Sequence, residues 1–288
     1  MHNGRPRGVA GRNIRAMSST VAILGAGSMG TILAEGLLRA GWDAGDIVLA
    51  ARRPERVAET ERLTGIRTLL DPAEAARGRD VVVIAVKPKD VTALLDQIDG
   101  AVTSDQVLVS IAAGVPTEVF EDRLPGVAVV RAMPNTPAAV DEGMTAYCAG
   151  THADDPATQT AAEVLAAVGD TIQLSEDLLD AVTAVSGTGP AYLFLLAEAL
   201  TEAAIREGLP HHAAERLVDQ TMRGAGVLLQ TSDKSAFRLR GEVTSPGGTT
   251  AAAMHVLEDG GFRALIEDAV RAAAGRSREL GGRAGPAD

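Results

Sequence analysis

Thr20–Ala40 reads T-V-A-I-L-G-A-G-S-M-G-T-I-L-A-E-G-L-L-R-A, and the order of its parts decides the fold. Thr20–Gly25 is a short apolar run of strand type. Gly25-Ala26-Gly27-Ser28-Met29-Gly30 is a G-x-G-x-x-G, and Thr31–Ala40 has helical character and stops at Gly41. Strand, glycine loop and helix in that order form the context a dinucleotide fingerprint needs. Gly25 allows the tight turn, Gly27 lets the backbone approach a pyrophosphate, and Gly30 lets the helix pack close to the strand. The plain alternative is an ordinary turn between a strand and a helix.

Outward from this stretch, apolar runs recur with helical segments between them. Asp46–Ala51, Asp80–Val86, Gln106–Ile111, Val127–Ala132 and Gly143–Ala149 read as strands, and Val57–Leu63 and Val91–Ile98 as helices. Asp80–Val86 is almost wholly apolar without alternation, as in a strand covered on both faces. Alternating strands and helices predict a parallel sheet, with ligands at the carboxyl ends of its strands. From about Asp177 strand signals nearly vanish. Asp177–Val185, Ala191–Glu207, His212–Leu229, Thr250–Leu257 and Gly261–Leu280 read as helices. The expected fold is therefore α/β: an N-terminal Rossmann-type parallel-sheet domain followed by an all-α domain. The expected divisions are an extension over 1–18, a dinucleotide domain over 19–175, a helical domain over 176–282 and a tail over 283–288.

The 288 residues allow two ordinary domains, and 46% hydrophobic content supplies a core. Aromatics are only 2%, which argues against base-stacking nucleic-acid modules, and a net charge of -11 argues against a polyanionic partner. The single cysteine, Cys148, lies in an apolar segment and reads as a small buried hydrophobe rather than a nucleophile. No metal-ligand cluster is visible, and His211-His212 after Pro210 reads as a helix start. No unbroken apolar run reaches the roughly 18 residues of a membrane span. Met1–Ala16 carries arginines without an apolar signal-peptide core, so it reads as an extension with Met17 as a candidate start. The expected setting is cytoplasmic, with neither nucleic acid nor membrane as partner. Ala191–Leu200 is apolar almost all round, and such a helix must be enclosed on most sides. A second subunit is the expected cover.

Val243–Thr250 reads V-T-S-P-G-G-T-T. Ser245 suits a helix N-cap and Pro246 the first helical position. Gly247 and Gly248 leave backbone N–H groups uncovered, and no Glu or Gln completes a capping box. An open helix start attracts a carboxylate or phosphate. Elsewhere, the end of the second strand reads Ala50-Ala51-Arg52-Arg53-Pro54. An NAD-binding domain would place Asp or Glu there for the ribose 2′-OH. Two arginines instead suit a 2′-phosphate, so the pattern points to NADP, with NAD as the other candidate. The plain alternative is a pair of solvated turn arginines.

Taken together, the Rossmann half, A-V-K-P at Ala85–Pro88, M-P-N-T-P at Met133–Pro137, S-G-T-G-P-A-Y at Ser186–Tyr192 and V-T-S-P-G-G-T-T resemble the pyrroline-5-carboxylate reductase family. The resemblance runs from about Ser19 to Leu280. It implies reduction of the cyclic imine Δ1-pyrroline-5-carboxylate to L-proline by NAD(P)H, in proline biosynthesis. It also implies a helical dimerisation domain interleaved with that of a partner, in a homodimer or a pentamer of dimers. Carried over by position, it puts Gly25, Ala26, Gly27, Ser28, Met29 and Gly30 on the pyrophosphate and Arg52 and Arg53 on the 2′-phosphate. Ala85, Val86, Lys87 and Pro88, with Ala112, Ala113 and Gly114, would line the cofactor. Met133, Pro134, Asn135 and Thr183 would lie near the nicotinamide. Ser245, Gly247, Gly248, Thr249 and Thr250 would hold the substrate, with the Thr250 hydroxyl at the ring nitrogen.

Two positions depart from the family pattern: Pro72 stands where many relatives carry Asn, and Asp233 where many carry Glu. A β-hydroxyacid dehydrogenase shares the overall plan. It needs a lysine soon after the glycine pair, and here Pro190-Ala191-Tyr192-Leu193-Phe194 follows Gly189. A non-catalytic NADP sensor is the alternative from outside enzymology; the S-P-G-G-T-T loop argues against it.

Overall fold

The computed structural model describes residues 19–281; the extension and tail expected at the termini lie outside the described residues. An eight-stranded sheet has the order β3-β2-β1-β4-β5-β6-β7-β8. Its strands are β1 Val21–Leu24, β2 Ile47–Ala50, β3 Thr68–Leu69, β4 Val81–Ile84, β5 Val107–Ser110, β6 Ala128–Met133, β7 Gly143–Ala149 and β8 Gly169–Gln173. The helices that follow or separate them are α1 Ser28–Arg39, α2 Pro54–Thr64, α3 Pro72–Ala76, α4 Val91–Ile98, α5 Thr117–Glu121 and α6 Asp155–Leu165. Strands β1 to β6 run parallel in the order 3-2-1-4-5-6, which is the Rossmann arrangement. The chain leaves β1 toward one edge and returns through β4 toward the other, so the ligand crevice of such a sheet opens at the β1–β4 junction.

The sheet has a core on each face, as the period of two requires. Val21 and Ile23 of β1 point to one side with Leu33 and Leu37 of α1 and Leu165 of α6. Ala22 and Leu24 point to the other with Leu94, Leu95 and Ile98 of α4 and Phe120 of α5. All four residues of β1 and of β4 are fully buried, which explains their lack of polar alternation.

The expected parallel sheet holds through β6 and changes direction at one edge. β7 is antiparallel to β6, with Met133 opposite Ala146, and β8 is parallel to β7. The link 134–142 is too short for the crossover of roughly a dozen residues that a parallel return needs, so the chain doubles back. Two strands were not expected. β3 has two residues, and β8 (G-D-T-I-Q) is a polar, partly exposed strand.

By contacts the chain forms two compact units: Ala191–Ala269, and the sheet unit of 19–190 with 270–281. The sheet unit includes α7 Leu179–Val182 and a π-helical turn, Thr183–Gly187. The helical unit contains most of α8 Gly189–Arg206, then α9 His211–Thr231, α10 Ala236–Glu242, α11 Thr249–Asp259 and the start of α12 Phe262–Leu280. α10 is a helix the sequence pattern did not suggest. Its start is capped by Ser235, whose hydroxyl accepts from the Arg238 N–H at 3.4 Å. Glu176–Arg206 is long and apolar enough, by length and composition, to cross a membrane, although no unbroken apolar run within it is that long. Asp177, Asp180, Glu198 and Glu202 interrupt it, and 17% of its apolar window is buried within the chain.

Candidate functional site

The glycine loop takes the geometry its sequence predicts. Gly25 has φ of +127°, and a Cβ there would stand 2.6 Å from the Ala85 carbonyl oxygen. The Gly25 and Ala26 N–H groups both donate to the Ala50 carbonyl, at 3.0 and 3.1 Å. At Gly30 a Cβ would strike the Gly25 carbonyl, so this glycine lets α1 lie against the loop. Gly27 is different. It is exposed and open, with nothing within 4 Å of a Cβ, and it is the N-cap of α1 without any side-chain cap. The loop therefore offers an uncovered helix N-terminus, which suits an anion.

Neighbouring strand ends converge on this loop. Leu24 pairs with Ile84, so Ala85, Val86, Lys87 and Pro88 follow β4 directly beside it. Arg52 and Arg53 follow β2 and are exposed; Arg52 reaches Asp90 at 3.3 Å. Ala112 turns its side chain into the core, leaving its backbone as the part a ligand could meet. Gly114 has φ of +78°, and a Cβ there would come within 2.9 Å of the Ser277 carbonyl. The end of α12 thus packs against the Ala112–Gly114 loop. Pro72 opens α3 behind Asp71, which accepts from the Ala73 N–H at 2.8 Å.

The structure brings Met133, Pro134, Asn135 and Thr183 together. Asn135 Oδ1 accepts from the Met144 N–H at 2.8 Å, while its Nδ2 donates to the Ser186 carbonyl and hydroxyl at 3.3 Å. A Cβ on Gly187 would lie 2.6 Å from Met133 Cε, so glycine permits this approach. Pro134 is buried, and the Thr183 hydroxyl donates to the Leu179 carbonyl at 2.8 Å. A π-turn at such a place is a common mark of a functional segment.

Two arginines that the sequence did not single out organise this unit. Arg131 is buried to 2% exposure on β6 and pairs with Glu176 at 2.9 Å. Glu176 also accepts from the Thr117 N–H at 2.9 Å and the Thr117 hydroxyl at 2.8 Å. Burial alone would raise the Glu176 pKa, but the Arg131 and Thr117 hydrogen bonds outweigh it and hold the carboxyl below its ordinary value. Beside them the Ser277 hydroxyl of α12 donates to Asp180 at 2.7 Å. The second, Arg56 of α2, reaches the glycine loop itself, donating to the Ala26 carbonyl at 2.6 Å.

In the helical unit, Ser245–Thr250 departs from the expected cap. α11 begins at Thr249, with Gly248 as its N-cap, so Ser245 is not the cap and Pro246 is not its first residue. Ser245-Pro246-Gly247-Gly248 is instead a β-turn. The Gly248 N–H donates to the Ser245 carbonyl at 3.0 Å, and Gly247 has φ of +70°. Proline second and a left-handed glycine third are the requirements of a type II turn. The turn delivers the chain to an N-terminus with no side-chain cap, so Thr249, Thr250 and Ala251 begin an open helix. α10 and α11, which flank the loop, are joined by Arg240 and Glu258 at 3.0 Å. Asp233 is exposed, in the link before α10.

Known proteins share both the pattern and the fold. Residues 176–280 match a family profile described as pyrroline-5-carboxylate reductase dimerisation. Residues 20–114 match one described as NADP oxidoreductase, coenzyme F420-dependent. The chain is 40% identical to a Mycobacterium tuberculosis (strain CDC 1551 / Oshkosh) pyrroline-5-carboxylate reductase over 284 residues, covering 90% of this chain and 96% of that protein. It is 39% identical to the Corynebacterium melassecola enzyme of that name over 267 residues, covering 91% and 99%. Among solved structures, the Coxiella burnetii pyrroline-5-carboxylate reductase is 37% identical and superposes with a TM-score of 0.86 over 92% of this chain and 99% of that one. A Plasmodium falciparum pyrroline carboxylate reductase with NADP bound is 29% identical, with a TM-score of 0.83 over 92% and 98%.

Proposed function

This chain belongs to the pyrroline-5-carboxylate reductase family, and from that premise we propose that it reduces Δ1-pyrroline-5-carboxylate to L-proline with NADPH. The observation that carries the reading is that each of two motif loops ends at an uncapped helix start, Gly27 in the sheet unit and Gly248 in the helical unit. One suits a pyrophosphate and the other a carboxylate.

The residues present fit a nicotinamide dinucleotide. Gly27 leaves open space where a side chain would block approach, and Arg52 and Arg53 replace the acid of an NAD site. When bound, the reduced nicotinamide supplies the hydride that the imine carbon accepts. The chain's own groups bind and orient, so a protein nucleophile is not required. The N–H groups opening α11 hold the substrate carboxylate. The Thr250 hydroxyl hydrogen-bonds the ring nitrogen. A hydroxyl is a weak acid, so the nitrogen takes its proton from water or enters as the iminium, and Thr250 orients it. Rate enhancement comes mainly from positioning. Met133, Pro134, Asn135 and Thr183 shape the nicotinamide end. Asn135 does so by holding the π-turn, since its amide is engaged with Met144 and Ser186.

Our reading includes a cytoplasmic homo-oligomer, with the helical region as the dimerisation element and a pentamer of dimers as the larger assembly. The deciding experiment follows oxidation of NADPH and of NADH with pyrroline-5-carboxylate, alongside 3-hydroxyisobutyrate in the reverse direction. Imine-dependent NADPH oxidation is the expected result. Folded protein that oxidises neither cofactor with the imine overturns the reading, and turnover of the hydroxyacid replaces it with the dehydrogenase.

A further inference from the structure

Arg56 stands four residues after Arg52 and would be grouped with the exposed turn arginines on sequence alone. The structure separates them. The Arg52 side chain is 77% exposed, whereas that of Arg56 is 27% exposed and each of its nitrogens is engaged. Nε donates to the Ala26 carbonyl at 2.6 Å, Nη2 to the Thr31 hydroxyl at 3.1 Å, and Nη1 to Glu59 at 2.8 Å. Three contacts fix a planar guanidinium in one orientation, which a lysine ammonium cannot reproduce.

We propose that Arg56 is a positioning residue for the dinucleotide: it grips the glycine loop on both sides of Gly27 and sets the direction of that loop's N–H donors. The proposal rests on the reading of Gly25–Gly30 as a pyrophosphate site. Ala26 lies just ahead of α1 and Thr31 in its first turn, so the two contacts bracket the stretch 27–30. The Ala26 carbonyl belongs to the peptide that carries the Gly27 N–H. In a trans peptide these two groups point in opposite directions, and no cis peptide occurs among the described residues. Anchoring the carbonyl therefore fixes where Gly27 offers its proton. Glycine needs such an anchor more than other residues, because its own torsions are the least restricted. A loop already ordered before the ligand arrives loses less entropy on binding.

This role differs from that of Arg52 and Arg53. The pyrophosphate is common to NADPH and NADH, so losing Arg56 weakens both alike. A 2′-phosphate contact weakens NADPH alone.

The test is titration of the full-length protein with NADPH and with NADH, measuring Kd and, in parallel, Tm. Variants are Arg56→Met, Arg56→Lys, Thr31→Val and the double variant Arg52→Ala/Arg53→Ala. Arg56→Met is expected to raise both Kd values about tenfold, with their ratio unchanged, as loss of a charge-assisted hydrogen bond implies. Arg56→Lys recovers part of the loss, and Thr31→Val shows a smaller loss for both nucleotides. The double variant weakens NADPH only. Unchanged Kd values with a lowered Tm overturn the proposal, since they make Arg56 a link between α1 and α2 and nothing more. A loss confined to NADPH overturns it in favour of a 2′-phosphate contact. If Arg56→Met does not fold, Thr31→Val decides: unchanged affinity for both nucleotides overturns the proposal. Wild-type protein that binds neither nucleotide overturns the cofactor reading itself, and the proposal with it.

Discussion

Glu176 shows how a single carboxyl is balanced between burial, which would raise its pKa, and the Arg131 and Thr117 hydrogen bonds, which lower it further. Its folded value lies below its unfolded one. The stabilisation it supplies is thus fully present above the ordinary value of 4.5 and is lost as pH falls through the folded value. Glu176→Gln is expected to cost about 1–3 kcal/mol near neutrality, because Arg131 then meets a neutral acceptor at that position and keeps only the longer 3.9 Å contact to the Asp180 carboxylate. Melting curves should show that deficit shrinking as pH drops below the carboxylate range; a deficit independent of pH would refute the assignment. Cys148 illustrates the opposite case. Burial, reinforced by the Glu176 charge, pushes its thiol up to about 11. At 2% exposure it should resist alkylation at mildly alkaline pH until the protein is unfolded. Rapid labelling of the folded protein would contradict this. That Cys148 is buried could be read from its apolar neighbours. The Arg56–Ala26 and Arg131–Glu176 contacts join residues 30 and 45 positions apart, and no local pattern announces them.

At the scale of elements, V-T-S-P-G-G-T-T announced an open helix start, but the expected register, with Ser245 as N-cap and Pro246 as the first helical residue, did not hold. Proline can open a helix or sit second in a turn, and both fit the same letters. The turn prevailed, with Gly247 in the left-handed region, and α11 began three residues later than Pro246. Thr250 is therefore within the first turn, not a cap. Thr250→Val should lower kcat/KM for the imine about tenfold to a hundredfold by removing one hydrogen bond to the substrate. NADPH affinity and Tm should change little. A destabilised variant with normal turnover would remove Thr250 from the site. Strands follow the same logic of legibility. β1 and β4 were plain because both faces are buried, whereas β3 and β8 lie at the sheet edges and carry too weak an apolar signal.

For the whole molecule the telling fact is α8. It is among the most apolar helices of the chain, yet within one subunit none of its residues is buried. Leu193, Phe194 and Leu195 are 55%, 63% and 66% exposed. It lies inside the region that matches the dimerisation profile, so a second copy, and not a membrane, is the cover the comparison supports. Exposed apolar area on this scale marks an interface. Replacing Phe194 and Leu195 with glutamate should shift the protein toward monomer or loss of soluble protein, as read by light scattering and sedimentation. A variant that remains an active dimer would place the interface elsewhere.

The sequence by itself determined the Rossmann order of strand, glycine loop and helix, the change to helices near Asp177, the missing acid after β2 and the need for a partner. These are properties of local composition and periodicity, which short-range sterics and burial write directly into consecutive residues. Tertiary structure alone decided the reversed edge strand β7, the register of the Ser245–Gly248 turn, the Asn135 bracket on the π-turn and the two arginine anchors. Each depends on which distant backbone or carboxylate comes within about 3 Å, and hydrogen bonds select their partners by distance and angle rather than by position along the chain.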